Sequence, residues 1–306
     1  MLKCAIIHRT KIIGGSMKKF ISAILAVIMC LFSITSISYA DEETNSRVVM
    51  GVDLNSDQRA QIYSDFNLSQ GSVIELSMTN AEERKTLEGL LPNERIGYVS
   101  RSCVYIELLE EGAGLNITTK NINWCTVEMY TNALITAGIT DANVQISAPY
   151  PLSGTAALCG IYKAYEDITG EEIADESKEA GTKELITTAE LADFIGSEDA
   201  TRLINELKKI LGNIKGMTDE QVLAEIDAIA TRLNIPLTDD QKLQLLDLCR
   251  TLQNLDVDKL QDRLLGWLDT IDKIQNASST FAKIWNSVLE FFTKIGDFFK
   301  NLFGGK

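Results

Sequence analysis

Histidine is nearly absent from this chain. His8 is the one imidazole in 306 residues. Basic residues are also in deficit: 29 Lys and Arg stand against 43 Asp and Glu, a formal net charge of −14. That balance argues against a nucleic-acid binder, which needs a basic face to meet phosphates. There is no CxxC pair, no Walker loop and no GxSxG elbow. Asp256-x-Asp258 lacks the glycine and spacing of a calcium loop. Neither a metal nor a cofactor is expected. What remains is an ordinary globular composition, 45% hydrophobic and 24% charged, with enough chain for one large domain or two smaller ones.

The first forty residues read as a targeting segment. Lys18 and Lys19 precede an apolar run from Phe20 to Ile37, then Ser38-Tyr39-Ala40, then the acidic Asp41-Glu42-Glu43. The run is nearly long enough to span a bilayer. The small-x-small site and the immediate turn to acidic chain favour a cleaved signal peptide, cut after Ala40. Met29 before Cys30 stands where a lipobox takes a small residue, so lipidation is not expected. Met17-Lys18-Lys19 is a natural start, and Gly14-Gly15 fits a translated ribosome-binding sequence. Residues 1–16 are therefore expected to lie upstream of the true start.

After that cut the remaining chain, 41–306, holds 24 basic and 43 acidic residues and no histidine. Ser-His-Asp and Cys-His catalysis and histidine-liganded metals are thereby excluded. Four cysteines remain: Cys103, Cys125, Cys159 and Cys249. They allow two disulfides, with Cys103–Cys125 the first candidate pair, or four small buried thiols.

The pattern from residue 41 to 170 alternates between strand and helix. Strands are predicted at 47–54, 73–78, 102–109, 115–119 and 143–148, with 102–109 and 115–119 forming a hairpin through residues 110–114. Helices are predicted after Asn55 or Ser56, after the Thr79/Glu82 capping box, over 126–137 ending at Gly138, and from Ser153 to about Ile168. The order implies an α/β domain with a mixed sheet of about five strands. The charged stretch from Gly170 to Lys183 marks a boundary. Beyond it an all-α domain is expected over 171–280, with capping boxes at Thr187/Glu190, Thr218/Gln221 and Thr238/Gln241. The last two open a short helical hairpin broken at Asn234-Ile235-Pro236.

Several stretches resemble the YpuA-like family of exported Gram-positive proteins, domain of unknown function 1002. They are VVMGVDLNSDQR from Val48, TNAEERKTLEG from Thr79, NITTKNINWCTVEMYTNALITAGITDA from Asn116 and APYPLSGTAALCGIYKAYEDITG from Ala148. The resemblance covers about residues 47–215. It implies export and fold boundaries, carries no catalytic residue, and gives no support to a disulfide as a family feature.

Three constellations remain as candidate sites. Ser153, Gly154 and Thr155 open a helix, where free N–H groups can hold an anion and Ser153 can cap; the plainer reading is a helix start stiffened by prolines. Ser153 with a lysine is a histidine-free nucleophile. Lys163 is too far along the same helix, roughly 15 Å away, so Lys120 or another lysine would have to approach. Glu107 and Glu128 flank the densest motif, and paired acids can cleave glycosides. Aromatics Trp124, Tyr130, Tyr150, Tyr162 and Tyr165 line either a groove or the core.

The last segment, 281–306, is sharply amphipathic. Phe281, Trp285, Leu289, Phe292, Ile295, Phe299 and Phe303 recur in helical steps on one face. Four lysines and two acids make this segment mildly cationic on an acidic chain. It suits an anionic membrane surface, another envelope protein or its own helical domain. The combined expectation is a secreted or envelope-associated binding module of unknown ligand and oligomeric state. The rival is a cell-wall hydrolase using carboxylates or a Ser/Lys pair.

Overall fold

The computed structural model describes residues 44–275, with side chains to Trp267. The signal peptide and cut at Ala40, and the amphipathic face of 281–306, lie outside the described residues.

Five strands form one mixed sheet: β1 (Ser46–Gly51), β2 (Ile74–Met78), β3 (Cys103–Leu108), β4 (Leu115–Ile122) and β5 (Ala142–Leu152). Their spatial order is β2-β1-β3-β5-β4. β1 pairs β2 in parallel, β3 runs antiparallel to both β1 and β5, and β4 pairs β5 in parallel. The expected β3–β4 hairpin is therefore not formed. The turn residues at 110–114 do reverse the chain, with Ala113 N–H donating to Glu110 C=O. β5 nevertheless takes the place between β3 and β4, bonding both along its length. Its buried alternation (Val144, Ile146 and Ala148, each at most 1% exposed) makes it the strand that gains most from a central position.

The helices start where side-chain oxygens satisfy free N–H groups. Asn55 caps α1 (Ser56–Asp65), and Thr79 caps α2 (Asn80–Leu87) through a reciprocal box with Glu82. A short α3 (Asn93–Ile96) follows. α4 (Val127–Ala137) begins after Thr126 and ends at Gly138 in the left-handed conformation, as its sequence predicts. α5 (Thr155–Thr169) and α6 (Asp175–Ile195) complete the sheet's cover. The chain then continues as α7 (Ser197–Ile210), α8 (Asp219–Leu233), α9 (Asp239–Leu252) and α10 (Val257–Gln275). Thr218 and Thr238 cap α8 and α9 as expected. Thr187 and Glu190 do not cap anything: both lie inside α6, where Thr187 is buried.

The sheet's two faces are covered unequally. One carries α2, α4, α5 and part of α6 over a large apolar cluster that includes Val104, Ile106, Val144, Ile146, Tyr130 and Leu158. The other carries α1, whose Ile62 and Tyr63 pack with Phe66 on Val48, Met50 and Cys103. A third cluster fills the space among α6 to α10. α6 serves two of these: Leu185, Ile186 and Ala189 join the sheet core, while Ala180 and Leu191 join the helical core. The charged stretch expected as a boundary thus runs directly into α6. Its small residues hide the packing from a hydrophobicity reading. A Cβ at Gly181 would lie 2.7 Å from the Ala133 carbonyl oxygen, so α6 and α4 approach closely because that residue is glycine.

The four cysteines are free and buried, and the Cys103–Cys125 disulfide is not formed. Strand alternation turns Cys103 toward α1, whereas Cys125 lies in the cluster on the other face beside Tyr130. Burial pushes both thiols up to about 12, which leaves them unreactive.

Candidate functional site

α1 covers only part of its face, and a groove of about 540 Å³ opens beside its C-terminal end. The wall is Phe66, Asn67 and Leu68, where Asn67 at φ +56° turns the chain and Leu68 N–H returns to Tyr63 C=O. Asn67 and Leu68 also bound a second hollow of about 510 Å³. Asp65 pins this end of the helix down: its buried carboxylate accepts from Ser147 Oγ at 2.7 Å and from Lys120 Nζ at 2.6 Å.

The floor is made by strand register. Glu107 of β3 stands opposite Asn143 of β5, which stands opposite Asn116 of β4. Tyr105, Gln145 and Thr118 form the next rung on the same three strands. Side chains two apart on a strand share a face, so both rungs point at the groove. Asn116 Nδ2 donates to Asn143 Oδ1 at 3.3 Å, and Asn143 Nδ2 donates to Glu107 Oε2 at 3.0 Å. Each amide NH₂ carries two donors, so a row held by one bond per amide still presents hydrogen-bonding groups outward. Tyr105 packs tilted against Phe66, ring centroids 6.3 Å apart. Burial, then the nearby Glu107 charge, raises the Tyr105 phenol, with a Ser46 hydrogen bond opposing; the hydroxyl stays a donor at neutral pH. Among the described lining residues Glu107 is the single charged group.

The other candidates are dispersed. Glu128 is exposed at the start of α4, on the far side of the sheet from Glu107, so the two acids do not converge. Ser153 does not cap α5. Gly154 does, at φ +92° with no side-chain bond, and its carbonyl accepts from the Tyr130 hydroxyl at 2.6 Å. A side chain at Gly154 would strike that hydroxyl and Ile122. Gly154 and Thr155 are buried, and Ser153 Oγ lies 3.4 Å from Thr155 Oγ1. Lys163 binds Glu82 and Ser77 C=O, and Lys120 binds Asp65, so neither meets Ser153. Tyr130 and Tyr162 are core, and Tyr150 stacks on Arg101 at the surface. Trp124 stacks beneath Arg95, 4.6 Å from its ring centroid, and donates to Asp193.

Two buried polar clusters have no counterpart in the sequence reading. Glu184 of α6 and Lys208 of α7 pair at 2.9 Å, fully buried, with Thr136 donating to Glu184 at 2.5 Å and Asn132 bonded to Asn205. Glu83 of α2 is 1% exposed and accepts from Ser100 Oγ at 2.5 Å and Asn80 Nδ2 at 3.2 Å. Burial raises its carboxyl above the ordinary value, and the charges of Asp53 and Glu82 add to that. Polar residues interrupting the apolar run of α4, Asn132 and Thr136, are the sequence signal that points to the first cluster. No group of three or more His, Cys, Asp or Glu among the described residues is placed to hold a metal, and no described helix is long and apolar enough to cross a membrane.

A mixed sheet with unequal cover and a helical second half is the form taken here by one family: the chain belongs to the DUF1002 proteins of unknown function, whose family model matches residues 50–265. The match extends into α10, past the point where the sequence resemblance was drawn. A curated relative, the uncharacterized protein YpuA of Bacillus subtilis (strain 168), is 34% identical over 291 residues, covering 90% of this chain and all of the relative. No solved structure matches.

Proposed function

We propose that the chain is an exported, envelope-associated binding module that holds a polar surface polymer in the groove beside α1. The hydrogen-bonded row Glu107–Asn143–Asn116, open next to Phe66 and Leu68, is the observation that carries this reading. Polar groups fixed to a sheet are held in place before a ligand arrives, which reduces the ordering cost of binding. One carboxylate supplies one acid or base, where glycoside cleavage takes two, and this favours binding over the hydrolase alternative. The signal-like first forty residues supply the export step, and the 281–306 segment would serve as membrane, partner or own-domain contact.

The test has two readouts on one sample. Chain 41–306 is incubated with purified cell-wall sacculi; we expect co-sedimentation without loss of turbidity. Clearing of the suspension would favour the hydrolase instead. N-terminal sequencing of protein from culture medium or envelope should begin at Asp41. Material beginning upstream would remove the export step.

A further inference from the structure

We infer that the groove takes an uncharged pyranose glycan, and this rests on the binding reading above. The argument is one of charge and geometry. Adjacent strands lie about 4.8 Å apart, so the three-strand row from Glu107 through Asn143 to Asn116 is about 10 Å long. That is the length of a disaccharide lying across the strands. Asn116, Asn143, Gln145 and Thr118 offer donors and acceptors side by side, which is what vicinal hydroxyls pair with. Leu68 and Tyr105, both part-exposed, edge the same floor with apolar surface, which suits the C–H face of a sugar ring.

Anionic polymers are disfavoured by the same residues. The described lining holds a carboxylate and no Lys or Arg. Lys120, on the next rung toward Ile122, is already tied to Asp65. A uronate or phosphate laid on this floor would face Glu107 without a counter-charge, on a chain of net charge −14. The neighbouring hollow past Asn67 and Leu68 gives room for the chain to continue, so an oligomer should bind better than a single ring.

The experiment uses chain 41–306 with cellotetraose and chitotetraose as neutral probes and tetragalacturonate as the anionic one. Binding is read from side-chain NH₂ resonances of Asn116, Asn143 and Gln145 and from titration calorimetry. We expect the neutral tetramers to shift those resonances and tetragalacturonate to leave them unmoved. Asn116→Ala, an exposed change on an edge strand, should weaken the neutral probes about tenfold, with an unchanged melting curve. Tighter binding of tetragalacturonate than of either neutral tetramer overturns the ligand assignment. Sacculus sedimentation with Asn116→Ala separates this from the broader reading. If the variant loses sedimentation while the neutral tetramers fail, only the ligand class falls. If sedimentation is unaffected, the groove itself is not the binding site.

Discussion

The Lys208 ammonium and the Glu184 carboxylate meet 2.9 Å apart with neither side chain exposed to solvent. They join α7 to α6, and Thr136 and the Asn132 carbonyl tie both to α4. Burial is the leading influence on Lys208 and lowers its pKa; the Glu184 charge opposes this. Removing one partner strands the other charge in an apolar site. Lys208→Met should cost about 3–5 kcal/mol in urea unfolding of chain 41–306, and Lys208→Met with Glu184→Leu should recover a large part of that. A single variant no less stable than the double one would show that the pair does not act as a unit.

Glu83 gives the fold a pH dependence of known sign. Its folded carboxyl is raised above the ordinary value of 4.5, so the folded state holds its proton more tightly than the unfolded one. The resulting stability is full below about pH 4.5 and is lost as pH rises through the folded value. Glu82 acts the other way. Burial pushes it up, but hydrogen bonds from Lys163 and Thr79 outweigh that and bring it to about 2, so its contribution is lost as pH falls from 4.5 toward 2. Glu83→Gln should flatten the urea midpoint between pH 4.5 and 8. A midpoint that still declines with pH in that variant would assign the slope elsewhere.

Gly181 is a packing requirement. Its absent side chain lets α6 reach both the Ala133 carbonyl oxygen and the Tyr162 hydroxyl, 2.7 and 2.6 Å from where a Cβ would sit. Gly181→Ala should lower stability by about 1–3 kcal/mol despite the helix propensity of alanine. Gly212→Ala is the control in α7's following turn, where the nearest atom lies at 4.0 Å. Equal melting temperatures for the two variants would refute the close contact.

Thr238 caps α9 through its hydroxyl while Gln241 returns the bond to its backbone N–H. Thr238→Ala should cost about 1 kcal/mol, and Thr238→Ser should restore most of it. Failure of serine to rescue would point to the methyl group rather than the cap.

Local chemistry was the readable part of the sequence. Asn55, Thr79, Thr218 and Thr238 announce their helices because a cap is a contact over three residues. The β3–β4 hairpin fails for the same reason: residues 110–114 look like a hairpin turn, and nothing local reports that β5 pairs with both strands. Thr187 and Glu190 carry a capping-box spacing without a helix start, since spacing alone says nothing of the turns already formed before them. Glu107 stands out as a carboxylate flanking the densest motif. Its partners Asn143 and Asn116 emerge only from register, and in sequence they read as ordinary polar residues on strands. Lys208 and Glu184 carry no signal of their own, because burial of a matched pair leaves no trace in composition.

One helix lies in two interiors at once. Since α6 seals the sheet with Leu185, Ile186 and Ala189 while anchoring the later helices with Ala180 and Leu191, severing the chain at Gly170 would strip the sheet of a wall and leave the helical half with an uncovered apolar face on α6. Neither piece should survive as a soluble fragment, and heating should melt the whole in a single step rather than shedding the helical end first.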